Sequence, residues 1–189
     1  MNNMVRNVLL LVIFILLASC AQEDSIRKDI IRLKSHPVRL DLSNMVCIED
    51  DLDTLSHRKM TPCLLKLVVY LDSTKCSSCY VKTMYRWKEI SSALSSYKGK
   101  IQSFFIFSPK SGQRESLYLA IKGAHLSMSV YVDTTNVFSR LNPHLPSDSE
   151  LHTFLLDEKD SVILVGSPIK NKKMQDLFWK TVEGHLGKP

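Results

Sequence analysis

The sequence predicts an α/β domain in which a mixed central sheet is flanked by helices. Three observations lead there. Two apolar runs, residues 64–71 and 101–107, are nearly continuous, as strands covered on both faces are. Between and after them, apolar residues recur at steps of three and four, the spacing of amphipathic helices. From residue 64 onwards the elements read β-α-β-α-β-α-β-β-α, and strands alternating with helices argue for parallel crossovers, with the closing β-β pair adding an antiparallel edge.

Each element has its own local reason. Val38, Leu40 and Leu42 alternate, which suggests a strand over 38–48, and the polar stretch 49–62 reads as turn. The run over 64–71 is broken by Asp72-Ser73-Thr74. Tyr80, Met84, Trp87, Ile90, Leu94 and Tyr97 mark the apolar face of the next helix, and Gly99 ends it in C-cap style. The strand 101–107 stops at Ser108-Pro109. A helix over 114–126, a short strand at 130–133, a short helix over 135–141 and a Pro-flanked loop over 142–146 follow. Residues 153–157 and 162–166 read as a hairpin joined through Glu158-Lys159-Asp160. Met174, Leu177, Phe178, Val182 and Leu186 define a final amphipathic helix in which Trp179 stands beside the apolar face.

The first twenty residues have a different logic. Arg6 is the only charge ahead of an apolar run of about ten residues over 8–17, too short for the roughly 20 that cross a bilayer. The run ends in Leu17-Ala18-Ser19-Cys20, the small-residue ending of a cleavable export signal. These four residues resemble the lipobox of bacterial lipoproteins. That resemblance implies a signal peptide over 1–19, lipidation of Cys20 and a membrane partner held through that lipid. A secretory signal with an incidental cysteine is the plainer alternative. Residues 20–37 then read as a tether carrying a short helix on Ile26, Ile30 and Leu33, and as a flexible chain its reach is roughly 20–25 Å. The domain proper is expected over 38–189.

Composition narrows the function classes. The formal charge of +6 on 189 residues contains no Lys/Arg run longer than two and no aromatic residues interleaved with a basic patch, so nucleic-acid binding has no support. The six histidines form no HExxH and no i, i+4 pair, and there is no Gly-rich phosphate loop and no GxSxG. Neither a cofactor nor a metal is expected. Beyond Cys20 the chain has Cys47, Cys63, Cys76 and Cys79. Export places them where disulfides persist, and four cysteines allow three complete pairings. Cys47 and Cys63 are candidates for a disulfide closing a loop of about 17 residues, a stabilisation of roughly 3 kcal/mol, or else pack as small apolar groups.

The chemistry centres on Lys75-Cys76-Ser77-Ser78-Cys79, between a buried strand and a helix start. There, unpaired backbone N–H groups and the positive end of the helix dipole favour a thiolate, and Lys75 adds a positive neighbour. Cys79 lies one turn on, in reach for a disulfide. Cys76 would attack a substrate disulfide and Cys79 would resolve the mixed disulfide. A structural or inert pair is the competing reading. Zinc is disfavoured, because only one of the two cysteine pairs is close-spaced.

Strand, CxxC and helix in this order resemble the thioredoxin fold. His152-Thr153-Phe154-Leu155-Leu156-Asp157 with Asp160-Ser161-Val162-Ile163-Leu164-Val165-Gly166 is similar to the C-terminal hairpin of TlpA/ResA-type proteins. Ser129-Val130-Tyr131-Val132-Asp133 resembles the strand of that group's central insertion, and the whole is similar to thioredoxin-like lipoproteins of the Bacteroidetes. The resemblance spans roughly residues 60–186. It implies a thioredoxin-like fold with a TlpA-type central insertion and a redox pair, Cys76 and Cys79. The chain departs from the family's pattern at four places. Lys75 replaces a tryptophan, Ser77-Ser78 lacks the usual Gly or Pro, and no proline lies between Pro146 and Pro168, although the family's cis-proline falls at about Leu151. The acidic residue of thioredoxins falls near Tyr70, while Asp72 lies just past the strand, and His152 falls near the CxxC in this alignment.

The function expected is that of a membrane-anchored thiol–disulfide oxidoreductase of the cell envelope. Its partners would be protein or small-molecule disulfides and dithiols and an envelope redox partner. Ala21 is not the aspartate tied to inner-membrane retention, which favours the outer membrane. The alternative is a non-enzymatic lipoprotein that uses the fold as a binding or assembly module.

Overall fold

A computed structural model describes residues 7, 10, 23–49, 52–56, 62–126 and 128–189. Cys20 and the cleavage region 17–20 lie outside the described residues. Among the described residues no helix is long and apolar enough to cross a membrane.

A helix over 23–34 (α1) leads through an extended stretch into β1 (Val46–Glu49) and β2 (Leu52–Ser56). Then come β3 (Leu65–Leu71), α2 (Ser77–Val81), a 3₁₀ turn at Met84–Trp87, α3 (Lys88–Ser95) and β4 (Ile101–Phe107). The chain continues through α4 (Arg114–Ala124), β5 (Val130–Val132), α5 (Val137–Leu141), β6 (Thr153–Leu156), β7 (Val162–Val165) and α6 (Lys172–Leu186). The strands form one sheet in the order β2-β1-β5-β4-β3-β6-β7. β3, β4 and β5 run parallel, while β1 and β2 on one side and β6 and β7 on the other are antiparallel additions.

β3 is central because every one of its seven residues is buried. Its alternating side chains feed two cores. Leu65, Leu67, Val69 and Leu71 face α2, α3, α4 and α6, where Trp87 packs edge-on to Phe105 with ring centroids 5.2 Å apart. Val68 and Tyr70 face Leu33, Val38, Met45 and Phe138 on the other side. Lys66 is the exception to apolarity, and its ammonium is bonded to Asp160 Oδ1 at 2.6 Å in the β6–β7 turn.

Four expectations change. The tether over 20–37 is shorter than expected, because Leu33 is fully buried and the second core includes it. The strand over 38–48 begins only at Val46. Residues 38–42 are extended but outside the sheet, held by Val38 N–H to Asp160 O (2.8 Å) and by Asn142, whose side chain bonds both Arg39 N and Arg39 O. The polar stretch 49–62 includes the edge strand β2, whose neighbour β1 supplies the pairing that its own composition did not announce. The helix after the CxxC is also interrupted: Thr83 donates both its N–H and its hydroxyl to Tyr80 O at 2.8 Å, which tightens the chain into the 3₁₀ turn.

Candidate active site

The central strand ends at Leu71, and a tight turn links it to the cysteines. Lys75 N–H donates to Asp72 O (3.3 Å), and Asp72 Oδ1 accepts from both Thr74 N–H (2.8 Å) and the Thr74 hydroxyl (2.5 Å). Cys76 is the N-cap of α2, with φ −78° and ψ 98°, and its Sγ accepts from Cys79 N–H at 3.3 Å. That bond satisfies one of the donors every helix start leaves over, and it favours negative charge on Cys76 sulfur. Cys76 and Cys79 are joined in a disulfide with Cα atoms 5.2 Å apart. Both residues are exposed, while Ser77 between them is buried and its hydroxyl has no hydrogen-bond partner.

The disulfide lies on a cleft of about 540 Å³. Tyr80, Thr83 and Arg86 form one side with the cysteines, and Glu150, Ser167 and Lys170 line it from the C-terminal part of the chain. Arg86 Nη2 donates to Ile169 O (2.7 Å) across the cleft, and Lys170 pairs with Glu150 at 3.7 Å within its C-terminal side. Burial pushes the Tyr80 hydroxyl above its ordinary range, offset in part by the hydrogen bond from Trp87 Nε1 (3.1 Å). Tyr80 is therefore an apolar wall at neutral pH.

Tyr70, at the place where an acid was sought, is buried beside Phe138 with ring centroids 4.7 Å apart. Burial raises its hydroxyl too, against the lowering effect of Ser108 and Ser139. The polar group that the structure adds is His152. It directly precedes β6 and is the residue whose carbonyl accepts from Tyr70 N–H (2.9 Å); the count from Asp157 had placed this position one residue earlier, at Leu151. No described peptide bond is cis. The His152 ring is buried, with Nε2 2.8 Å from Pro146 O and Nδ1 3.5 Å from Asp72 Oδ2. The sequence brings His152 near the CxxC through the hairpin alignment but does not pair it with Asp72, which is eighty residues away; the β3–β6 register, Val69 opposite Thr153, makes that pair.

Cys47 and Cys63 are not brought together. Cys47 is in β1 and Cys63 precedes β3, and the sheet order puts β5 and β4 between those two strands. Three strand spacings are about 14 Å, twice the Cα separation of roughly 7 Å beyond which a disulfide cannot close. Cys63 is a half-buried thiol raised chiefly by burial, with Lys66 opposing. Among the described residues no group of three or more His, Cys, Asp and Glu side chains is placed to hold a metal.

No protein-family model matches the chain, and none of the curated proteins does. Solved structures do. An uncharacterised thioredoxin-like protein from Porphyromonas gingivalis is 12% identical, with 80% of this chain and 94% of that one covered at a TM-score of 0.49. The thioredoxin domain of a thiol-disulfide oxidoreductase from Bacteroides vulgatus is 13% identical, covering 64% and 81% at 0.44. A chain provisionally described as a thiol:disulfide interchange protein DsbE from Chlorobium tepidum is 15% identical, covering 67% and 82% at 0.46. The parallel core flanked by an antiparallel hairpin is itself the thioredoxin arrangement, and this chain has a thioredoxin-like fold.

Proposed function

We propose that this protein is a thiol–disulfide oxidoreductase of the cell envelope, held to a membrane through lipid on Cys20. One observation carries the redox reading: an exposed Cys76–Cys79 disulfide at the N-terminus of a helix opens onto a cleft large enough for a substrate segment. Both sulfurs are reachable. A substrate thiolate attacks Cys76, a mixed disulfide forms, and the Cys76–Cys79 bond breaks with Cys79 leaving as a thiolate that takes up a proton. A second substrate thiolate then displaces Cys76. The protein pair gains two electrons and two protons, which the substrate dithiol loses; the reverse sequence reduces a substrate disulfide. The Cys79 N–H bonded to Cys76 Sγ supports charge on the sulfur that leaves last. The anchor reading rests on the apolar run over 8–17 and on Leu17-Ala18-Ser19-Cys20, and Ala21 favours the outer membrane.

The test uses the full chain expressed in a bacterial envelope. Cys76→Ala abolishes exchange with glutathione and with a protein disulfide, Cys79→Ala accumulates mixed disulfides with cell partners, and Cys20→Ala releases the protein from membranes. Wild-type protein inert towards both disulfide classes would sink the redox reading while leaving the anchor to its own result.

A second reading, a binding module, has a surface of its own. A groove of about 660 Å³ between the α2–α3 turn and α4 is lined by Tyr85 and Leu119, which are 74% and 67% exposed. Partners retained after both Cys76 and Cys79 are replaced would favour it.

A further inference from the structure

The His152–Asp72 contact contains a contradiction that only a proton resolves. Pro146 O is a carbonyl and can only accept, so the 2.8 Å contact places a hydrogen on His152 Nε2. In a neutral imidazole Nδ1 is then a bare lone pair. It faces Asp72 Oδ2 at 3.5 Å, in a residue that is 4% exposed, and Nδ1 makes no hydrogen bond. A lone pair facing a carboxylate in a buried place is repelled, and an unpaired buried polar atom costs on the order of 1–3 kcal/mol. A proton on Nδ1 turns the contact into an attractive ion pair.

We propose that His152 and Asp72 hold one proton between them as an ion pair and that His152 is a positioning residue for the dithiol, setting how its redox equilibrium depends on pH. This rests on the reading of Cys76–Cys79 as a working redox pair. The mechanical link is short. The other oxygen of Asp72 anchors Thr74 through its N–H and its hydroxyl, and the Asp72 carbonyl accepts from Lys75, next to Cys76. Such a turn keeps the Cα atoms of Asp72 and Lys75 within about 7 Å. The Asp72 carboxylate is thus pinned at one oxygen by the loop that delivers Cys76 and at the other by His152. When the proton leaves, the second pin becomes repulsive and the loop loses its fixed start.

The electrostatic link has a definite sign. A Cys76 thiolate, present only in the reduced pair, favours the extra proton. By reciprocity the proton favours the reduced pair. The other groups around the ring do not supply it. From β3, Tyr70 lies with its ring centroid 5.3 Å away and its hydroxyl raised by burial. On the turn before β6, Glu150 is paired with Lys170. Lys75, three residues past Asp72, is exposed. Asp72 is the one carboxylate in contact with the ring.

The test measures the glutathione redox equilibrium of the full chain from about pH 5 to 8, the range in which histidine changes charge. It is read beside ¹⁵N spectra of the His152 imidazole. Wild type should show the reduced pair favoured at low pH, by about five-fold beyond what thiol ionisation accounts for. Asp72→Asn should flatten that excess, because its amide N–H donates to neutral Nδ1 while its oxygen keeps Thr74. His152→Gln should flatten it as well, and circular-dichroism melts separate loss of fold from loss of coupling. Persistence of the excess in both variants overturns the proposal. So does an imidazole spectrum with a bare Nε2, which is readable even if exchange chemistry is absent. Absent exchange with the expected spectrum sinks the redox reading and leaves the ion pair standing.

Discussion

At the residue scale, Asp133 shows how one buried carboxylate can organise a neighbourhood. It is fully buried, and it accepts from Val137 N–H (3.0 Å) and Phe138 N–H (2.8 Å), with Thr135 N–H at 3.3 Å. Asn136, the residue before α5, has φ 54° and makes no capping bond, so Asp133 caps α5 from outside the helix. α5 in turn presents Phe138 to Tyr70, beneath the site. Asp133→Ala leaves the buried Phe138 N–H and the part-buried Val137 N–H without their partner. It should lower unfolding free energy by about 2–4 kcal/mol in a urea titration, with Asp133→Asn losing less. A loss under about 0.5 kcal/mol would show that water replaces the carboxylate. The same scale explains what was legible at the redox pair. Cys76 and Cys79 could be read because their spacing is local, one helical turn. His152 and Asp72 could not be read as a pair because their contact is made by strand register, not by spacing.

At the element scale, the N-terminal segment is the main revision. It behaves as a layer over the second core: Leu33 is fully buried, Val38 nearly so, and Arg32 Nη2 donates to Pro143 O at 2.6 Å. His36 and His144 meet there with ring centroids 5.6 Å apart. Burial lowers the His144 pKa first, and the charges of His36 and Arg32 lower it further. The sign follows from proton counting. The unfolded chain binds a proton at His144 below about pH 6.5 where the folded chain resists it, so the stabilisation is complete above that value and declines as pH falls through it. The melting temperature should therefore fall between pH 7 and pH 5, and His144→Gln should make the fall shallower. An unchanged profile in that variant would place the acid sensitivity elsewhere. The periodicity of Ile26, Ile30 and Leu33 announces the helix α1 but not its docking, because the core that Leu33 joins is built from residues far along the chain. β2 was missed because it is an edge strand whose pairing with β1, not its own apolar content, makes it a strand.

At the scale of the whole molecule, the disulfide couples redox state to stability. It closes a small loop, and constraining the unfolded chain in this way is worth about 2 kcal/mol. Dithiothreitol should lower the melting temperature by roughly 4–8 °C, reversibly on reoxidation. The same shift in Cys76→Ala without reductant would assign it to the bond. No shift at all would mean that the reduced pair gains compensating bonds at the helix start. Arg86, in the 3₁₀ turn after α2, reaches across the cleft to Ile169, and Lys170 after β7 pairs with Glu150 before β6, so the site is a property of the assembled sheet.

The sequence by itself determined the α/β class, the position of nearly every strand and helix from residue 64 onwards and the CxxC at a helix start. These follow from local signals: continuous apolar runs, helical spacing and turn residues act over a few positions. Tertiary structure alone decided that Cys47 and Cys63 sit about three strands apart, that residues 33–42 cover a core, and that His152 meets Asp72 beneath the loop carrying Cys76. Those facts depend on strand order and register, which bring together residues tens of positions apart and leave no trace in local spacing.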